Sequence, residues 1–269
     1  KKNNLNLIVI NYENVNMLSE SFERYLLNLN KKILILSNEP LIFSKRFIYR
    51  SHVVNNKYFT YINNDIQYGS RYIAKRIIDI FLGITGIVIF SPIFLMISVY
   101  ILLKDGRPVI IKQNRVGLHG KPFTMYKFRT MKKDSHSKRP DLKDLNTHKG
   151  PLFKIDNDPR VLKGAKKIRK YSLDELPQFF NVVLGSMSMV GPRPLFVEDS
   201  KDFNENYLRR LNVLPGITGL LQINDRNTDD FDIWYKYDLE YLENWSIGLD
   251  LEIIIKTPFS LFKKNILGK

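Results

Sequence analysis

The least polar stretch of the chain runs from Ile80 to Leu103, 24 consecutive residues without one charged side chain. Its length exceeds the roughly 20 apolar residues that cross a bilayer, so a membrane segment is favoured over a helix pair in a soluble core. Ser91-Pro92 lies at its midpoint, where proline removes a helical hydrogen bond and clashes with the preceding turn. We therefore predict a helix–break–helix, with the Ser91 hydroxyl as a partner for backbone groups freed at the break.

Basic residues flank this stretch on both sides. Arg71, Lys75 and Arg76 precede it, and Lys104, Arg107, Lys112 and Arg115 follow it. The positive-inside tendency favours the cytoplasmic face for both flanks, which one straight span cannot satisfy. The prediction is a re-entrant segment over about residues 77–103 that enters one leaflet and returns.

The N-terminal part has the pattern of a small α/β unit. Leu5–Asn11 and Lys32–Ser37 are short apolar runs typical of strands, and Met17–Leu29 between them has helical spacing. Residues 52–72 are polar and rich in asparagine, which indicates a linker. The predicted organisation is a mixed α/β chain: a partial α/β unit with a linker over residues 1–70, then a membrane-associated domain over residues 71–269.

The remaining segments divide into strands, a loop and two helices. Val109–Lys112 and Phe123–Phe128 are predicted as strands, and residues 132–150 as a long polar loop. Both tryptophans lie in Phe231–Trp245, which suits either the headgroup level of a membrane or a core helix. Leu249–Leu267 combines apolar residues with lysines, which favours an amphipathic interfacial helix.

The positive charge is concentrated in the middle of the chain. The 269 residues include 42 Lys+Arg and 27 Asp+Glu, and residues 104–170 alone carry 20 basic and 6 acidic side chains. Such a segment suits nucleic acid, anionic lipid or a phosphorylated substrate. The absence of cysteine excludes a disulfide scaffold, a cysteine-ligated metal and a thiol nucleophile. The four histidines have no metal-ligand spacing.

Adjacent carboxylates, Asp174 and Glu175, follow the basic segment. Ser172 and Glu175 have the spacing of a capping box, which is the structural interpretation. In the functional interpretation one carboxylate attacks phosphorus and the other holds a divalent cation. A helix N-terminus at this point would keep Asp174 ionised and would offer donors to phosphates.

Two further motifs are basic. Gly191-Pro-Arg193-Pro194 places a guanidinium between two prolines, which suits bidentate phosphate binding or, alternatively, a surface salt bridge. Tyr126-Lys127-Phe128-Arg129 alternates apolar and basic residues, as in a strand with one charged face, and taken alone this pattern favours a solvated face.

Together, the motifs from about Arg71 onward resemble those of the bacterial sugar transferases, the monotopic polyprenyl-phosphate hexose-1-phosphate transferases (phosphoglycosyl transferases). They occur in family order over roughly three quarters of the chain. The matching stretches are Lys75–Asp79, Ser91-Pro92, Gln113–Gly117, Pro122–Met131, Gly150–Lys154, Asp158–Arg160, Arg169–Gln178, Asn181-Val182, Gly191–Pro194, Pro215–Gly219 and Leu249–Leu251.

The resemblance implies a covalent, two-step transfer. Asp174 would attack the β-phosphorus of a UDP-sugar and release UMP, and a polyprenyl phosphate, undecaprenyl phosphate by family resemblance, would then take the sugar phosphate. Glu175, with Asp174, would ligand Mg²⁺. The resemblance also marks Lys127 and Asp250 as catalytic and the following residues as substrate-binding: Arg129, Arg169, Arg193, Gln222 and Arg226. Ser186, Leu214 and Asp225 depart from the family pattern.

The same resemblance places the protein at the cytoplasmic face of a bacterial inner membrane, at the first membrane step of exopolysaccharide, capsule, O-antigen or glycoprotein glycan synthesis. Its partners would be a UDP-sugar, a polyprenyl phosphate and membrane lipid, with homo-oligomerisation left open. Larger members carry an α/β domain before the catalytic part, and residues 1–70 resemble its tail, so a truncated relative or a part of a longer protein is expected. A nucleic-acid binder explains the charge but not the apolar run. A catalytically inactive membrane adaptor of a polysaccharide assembly system is the other alternative.

Overall fold

The computed structural model describes residues 7–12, 22, 26, 32–41, 49–62, 70–133, 135, 155, 158–198, 205–226, 228 and 230–262. The mixed α/β class predicted from the sequence is confirmed within these ranges. Most of the predicted loop over residues 132–150, the Gly150–Lys154 motif and the chain after residue 262 lie outside the described residues.

The first unit is a four-stranded sheet. Its strands are β1 (Leu7–Tyr12), β2 (Lys32–Ser37), β3 (Tyr49–Val54) and β4 (Lys57–Ile62), in the order β1-β2-β4-β3. β1 and β2 are parallel, and the other pairs are antiparallel. Phe22 and Leu26 are helical, and Leu26 is buried with Ile33 and Ile35, as the predicted strand–helix–strand requires.

The linker predicted from residue 52 onward is wrong for residues 52–62. These residues complete β3 and form β4, joined by a two-residue turn at Asn55 and Asn56. Both asparagines have positive φ, 51° and 60°, the conformation of a tight hairpin turn whose twist matches its strands. Asparagine tolerates this conformation better than most residues, so it marks the turn rather than a linker.

The long apolar stretch forms one helix, α1 (Ser70–Asp105), of 36 residues. Among the described residues it is the single helix long and apolar enough to cross a membrane by length and composition. It continues through Pro92, so the predicted helix–break–helix does not appear as an interruption of the helix. Pro92 cannot donate to the carbonyl of Val88 four residues earlier, and the Ser91 hydroxyl donates to that carbonyl at 2.7 Å. The Ser91 hydroxyl thus meets a carbonyl that the proline leaves without its helical donor, as expected, but within a helix that is not interrupted.

One face of α1 packs on the domain that follows it. Gly83 and Gly86 allow close approach to α3 (Gln178–Leu184), since a Cβ on Gly86 would lie 2.7 Å from the Phe179 ring. Past the proline, the Phe94 ring meets Phe128 edge-on with centroids 5.3 Å apart. The opposite face is apolar and exposed. It comprises Ile73, Ile77, Phe81, Ile84, Val88, Ile89, Leu95, Met96, Val99, Leu102 and Leu103.

Small elements build the rest of the domain around this helix. β5 (Ile110–Val116) and β6 (Pro122–Phe128) form an antiparallel pair, as predicted, around the short 3₁₀ turn Leu118–Gly120. β7 (Ser188–Val190) and β8 (Gly216–Thr218) form a parallel pair. The remaining helical elements are α2 (Lys166–Lys170), a 3₁₀ turn (Leu173–Glu175), α4 (Glu205–Leu208), a 3₁₀ turn (Arg209–Asn212) and α5 (Leu220–Asn224).

Two helices close the described chain, α6 (Phe231–Asn244) and α7 (Ile247–Phe262). Phe231, Trp234 and Tyr241 of α6 are buried, so the core interpretation of this aromatic segment is confirmed and the headgroup-level one is wrong for these side chains. On α7, by contrast, Leu251, Ile255 and Phe259 are exposed at intervals of four residues, which is one apolar stripe facing outward.

Candidate active site

The carboxylate pair lies in a single tight turn. Asp174 and Glu175 occupy the 3₁₀ turn Leu173–Glu175, and Pro177 is the N-cap residue directly before α3. Ser172 precedes the turn in the left-handed region with φ 55°, which is uncommon for a residue other than glycine. Its hydroxyl makes no cap hydrogen bond and instead accepts one from Arg226. The capping-box interpretation is therefore wrong.

Glu175 is held by two cations from distant parts of the chain. The Lys127 ammonium, on β6, donates to its Oε1 at 2.8 Å, and the Arg193 guanidinium donates to the same oxygen at 2.7 Å. Burial raises the pKa of Glu175, but Arg193 and Lys127 together lower it well below its ordinary value. Glu175 is thus an anion fixed in place by its neighbours.

Asp174 has a different environment although it is adjacent. It is buried, and its carboxylate is hydrogen-bonded to none of the side chains that the structure describes. Burial raises the pKa of Asp174, the charge of Glu175 adds to the rise, and Lys127, Arg169 and Arg193 oppose it without cancelling it. The expectation that a helix N-terminus keeps Asp174 ionised stays a prediction, and the three cations act in the same direction. A carboxylate without hydrogen-bond donors is a better nucleophile than one that is fully bonded.

Further basic side chains complete the surroundings of the pair. Arg169, near the end of α2, donates to the Thr130 hydroxyl at 3.4 Å and lowers the pKa of Asp174. Arg226 follows α5 and lowers the pKa of Glu175. The structure therefore brings together six of the residues predicted for the site: Lys127, Arg169, Asp174, Glu175, Arg193 and Arg226. This excess of cations over carboxylates suits a polyanion such as a diphosphate.

Arg129, predicted to bind substrate, is placed at the end of α1. Its guanidinium donates to Asp105 O at 2.9 Å, Gly106 O at 2.6 Å and Pro108 O at 2.6 Å, and it pairs with the Asp105 carboxylate. Arg129 is buried by these contacts, which satisfy carbonyl groups at the helix C-terminus. Its contacts are those of a structural anchor.

Asp250, predicted to be catalytic, belongs to a second polar cluster. It accepts from Lys75 at 2.7 Å, from the Tyr241 hydroxyl at 2.8 Å and from the Trp245 indole at 3.2 Å. Lys75 also donates to Val190 O, so this cluster ties α1 to the end of β7. None of the hydrogen-bond partners of Asp250 is also a partner of Asp174 or Glu175.

Gln222 and the departures from the family pattern have separate positions. Gln222 is buried on α5, and its amide nitrogen has no hydrogen-bond partner among the described residues. Ser186 accepts from the Asn181 amide at 3.0 Å just after α3, and Leu214 is buried beside β8. Asp225 ends α5 directly before Arg226.

Sequence reasoning missed one buried ion pair, Arg210 with Asp238. The Arg210 guanidinium donates to the Asp238 carboxylate at 2.7 Å and to Arg193 O at 2.8 Å. The available signal was Asp238 itself, since it falls on the same face of α6 as Phe231, Trp234 and Tyr241. An acid within an apolar stripe indicates a buried partner.

The carboxylate pair fits a magnesium ion shared with substrate. Mg²⁺ is usually bound by one or two carboxylates together with phosphate oxygens. Glu175 Oε1 accepts hydrogen bonds from both Lys127 and Arg193, whereas Oε2 accepts only a long one, of 3.4 Å, from Arg193. No group of three or more His, Cys, Asp or Glu that could hold a metal occurs among the described residues. The residues present therefore suit a metal completed by phosphate oxygens.

The chain belongs to the bacterial sugar transferases, because residues 70–264 match the model of that family. The relatives include a galactosyl transferase, CpsE, of Streptococcus agalactiae, 46% identical over 70% of this chain and 42% of the relative. An undecaprenyl-phosphate galactose phosphotransferase of Salmonella typhimurium is 39% identical over 76% of this chain and 44% of its own. A UDP-glucose:undecaprenyl-phosphate glucose-1-phosphate transferase of Escherichia coli is 38% identical over 72% and 41%. The chain spans about two fifths of the length of these relatives.

Proposed function

We propose that the protein transfers a sugar 1-phosphate from a UDP-sugar to a polyprenyl phosphate, such as undecaprenyl phosphate, and releases UMP. One observation carries this proposal: two adjacent buried carboxylates lie among four cations. Asp174 makes no hydrogen bond to a described side chain, whereas Glu175 accepts hydrogen bonds from Lys127 and Arg193. The names of two relatives, which state undecaprenyl-phosphate galactose and glucose-1-phosphate transfer, support the same reaction.

The first step forms an acyl phosphate on the enzyme. A carboxylate oxygen of Asp174 forms a bond to the β-phosphorus, and the bond from that phosphorus to the bridging oxygen breaks, so that UMP leaves with that oxygen. Arg169, Arg193 and Arg226 contact the phosphates and neutralise the charge that collects on the oxygens. In a ternary complex Glu175 and Asp174 would hold Mg²⁺, which supplies further neutralisation of the diphosphate.

The second step frees Asp174. An oxygen of the polyprenyl phosphate attacks the same phosphorus, the bond to Asp174 breaks, and the carboxylate is restored with its electron pair. The product is a sugar linked to the lipid through a diphosphate. Neither step needs a net proton transfer at the carboxylates, which agrees with a site rich in cations rather than in acid–base pairs.

The setting proposed for this reaction is the cytoplasmic face of a bacterial inner membrane, at the first membrane step of polysaccharide or glycan assembly. The exposed apolar face of α1 and the exposed stripe on α7 support it, since contiguous exposed apolar surfaces mark sites of membrane or protein contact. α1 contacts its own domain near both ends, through Lys75 at Val190 and Asp105 at Arg129. Because both ends are held to the same domain, these contacts support a membrane segment whose ends stay on one side of the membrane over one that crosses it.

The reaction is tested by release of UMP from detergent-solubilised protein with Mg²⁺, undecaprenyl phosphate, and either UDP-galactose or UDP-glucose. We expect UMP and a lipid-linked sugar diphosphate from the parent protein and none from Asp174→Asn. The inactive-adaptor alternative predicts no UMP from either protein while both remain folded and membrane-bound.

The topology is tested by cysteine labelling, which is simple because the chain has no cysteine. Single variants Arg71→Cys and Arg107→Cys place a thiol at an exposed position before and after the apolar stretch. A re-entrant segment predicts that an impermeant maleimide labels neither thiol in spheroplasts and both in inverted vesicles. Labelling of one thiol from each side would show a spanning helix.

A further inference from the structure

The segment that carries Arg193 is anchored through its backbone. Pro192 and Pro194 have no N–H groups, so the carbonyl oxygens are the main attachment points of this stretch. Four successive carbonyls accept hydrogen bonds from neighbouring elements: Pro192 O from Gly216 N at 2.9 Å, Arg193 O from Arg210 at 2.8 Å, Pro194 O from Arg115 at 3.2 Å and Leu195 O from Val116 N at 3.0 Å.

Arg210 is the anchor that reaches Arg193 itself. Its side chain lies between the Arg193 backbone and α6, with Nη2 on Arg193 O and Nε on the Asp238 carboxylate at 2.7 Å. Arg210 is 2% exposed and Asp238 is 4% exposed. A buried ion pair is weak support for stability, because apolar residues of similar volume often serve as well. Its directional hydrogen bonds do, however, fix the position of the groups they join.

Arg193 connects the Arg210 anchor to the carboxylate pair. Its backbone carbonyl is held by Arg210 while its guanidinium holds Glu175 Oε1 at 2.7 Å, so the residue is fixed at both ends. A phosphate-binding guanidinium must be placed to within a fraction of an ångström, and a displacement of about 1 Å costs roughly a hundredfold in rate.

We propose that Arg210 and Asp238 are positioning residues that act through Arg193 and set the place of its guanidinium beside Glu175. The expected loss of activity rests on the proposed function. The expected loosening of the Arg193 segment rests on the contacts alone. Arg210 touches no reacting atom in this proposal.

The test uses paired substitutions so that no buried charge is left alone. Arg210→Gln combined with Asp238→Asn removes the ion pair, and Arg209→Gln combined with Glu243→Gln is the matched control. The control pair joins the same two elements, the 3₁₀ turn Arg209–Asn212 and α6, through Arg209 Nη2 and Glu243 Oε1 at 3.3 Å. It makes no described contact with Arg193. Both sets are made in the parent chain and with Arg193→Ala.

Two measurements are made in nanodiscs. Hydrogen exchange of the peptide spanning residues 189–197 is followed without substrate, and UMP release is followed with UDP-galactose and UDP-glucose as donors. We expect the Arg210/Asp238 variant to exchange about tenfold faster in that peptide, because a local anchor is lost. We also expect its kcat/KM to fall about tenfold to a hundredfold in the parent chain and less than about threefold with Arg193→Ala. The control should change neither value.

Each outcome decides the proposal. Unchanged exchange in residues 189–197 overturns it, and so does a loss of kcat/KM that is equal with and without Arg193, because a purely structural role would be additive. If the parent protein releases no UMP from either donor, the proposed function is in question. The exchange measurement then still decides whether Arg210 fixes the Arg193 segment.

Discussion

Substitution of Gly191 by alanine should disable the protein by separating two backbone segments. Gly191 begins the segment that carries Arg193 and lies directly against Leu214 and Gly216. A Cβ at this position would be 2.3 Å from Leu214 O and 3.0 Å from Gly216 N. These neighbours are backbone atoms and cannot rotate away, so the segments must move apart by roughly 1 Å to reach an ordinary contact distance.

The expected magnitude follows from that displacement. Overpacking of this kind costs about 2 kcal/mol, which lowers the midpoint of thermal unfolding by about 4–8 °C for a domain of this size. The same movement displaces Arg193 relative to Glu175 and should lower the kcat/KM of UMP release by about a hundredfold. Both values are measured in nanodiscs with the variant and the parent protein side by side.

Gly248→Ala is the matched control for this substitution. Within the described part of the chain, a Cβ on Gly248 would have only the Ser246 hydroxyl near it, at 3.8 Å, and the residue lies in the first turn of α7. Because alanine is the better helix former, stability should stay the same or rise slightly. A Gly191→Ala protein with parent activity and parent thermal midpoint would refute the argument that this close approach positions Arg193.

Two further predictions follow from buried charges. Burial raises the pKa of Asp174 and lowers that of Lys127. The rate of adduct formation should therefore decrease on the acid side at a pH above the ordinary aspartate pKa. On the alkaline side it should decrease at a pH below the ordinary lysine pKa. Lys127→Arg should move only the alkaline limb upward, and a profile without that change would assign this limb to another group. Lys75→Met leaves the Asp250 carboxylate buried without its cation and should destabilise the protein by about 3–5 kcal/mol. Adding Asp250→Asn removes the unpaired charge but keeps an oxygen acceptor for Tyr241 and Trp245, so it should restore part of the thermal midpoint, and no recovery would show that Lys75 acts through other contacts.

The sequence pattern located α1 and the carboxylate pair because the signal for each lies in residues that are adjacent in the chain. An uncharged run of 24 residues is visible without any fold, and Ser91 could be matched to the proline beside it. Asp174 and Glu175 were recognised as a pair with a motif around them. The interactions that decide their chemistry join residues far apart, such as Lys127 and Arg193 at Glu175.

The errors have the same physical origin. The polarity of residues 52–62 indicated a linker, but half of that hairpin faces solvent and the Asn55-Asn56 turn needs polar residues. The aromatic residues of α6 suited a membrane surface or a core helix from the sequence alone, and only the fold shows that they pack inward. The hydrogen-bond partners of Asp250 and Arg129, which hold α1 to the domain, could not be read from the sequence, and the predicted roles of both residues in the reaction stay predictions.

Covalent transfer through Asp174 is tested by the intact mass of the protein after incubation with Mg²⁺ and a UDP-sugar, without lipid acceptor. UDP-galactose and UDP-glucose are used as donors, and Asp174→Asn and Gly248→Ala are treated in parallel. We expect a mass increase equal to one sugar phosphate on the parent protein and on Gly248→Ala, none on Asp174→Asn, and loss of the adduct when undecaprenyl phosphate is added. UMP release and lipid product without any adduct, or an adduct that persists on Asp174→Asn, would contradict it.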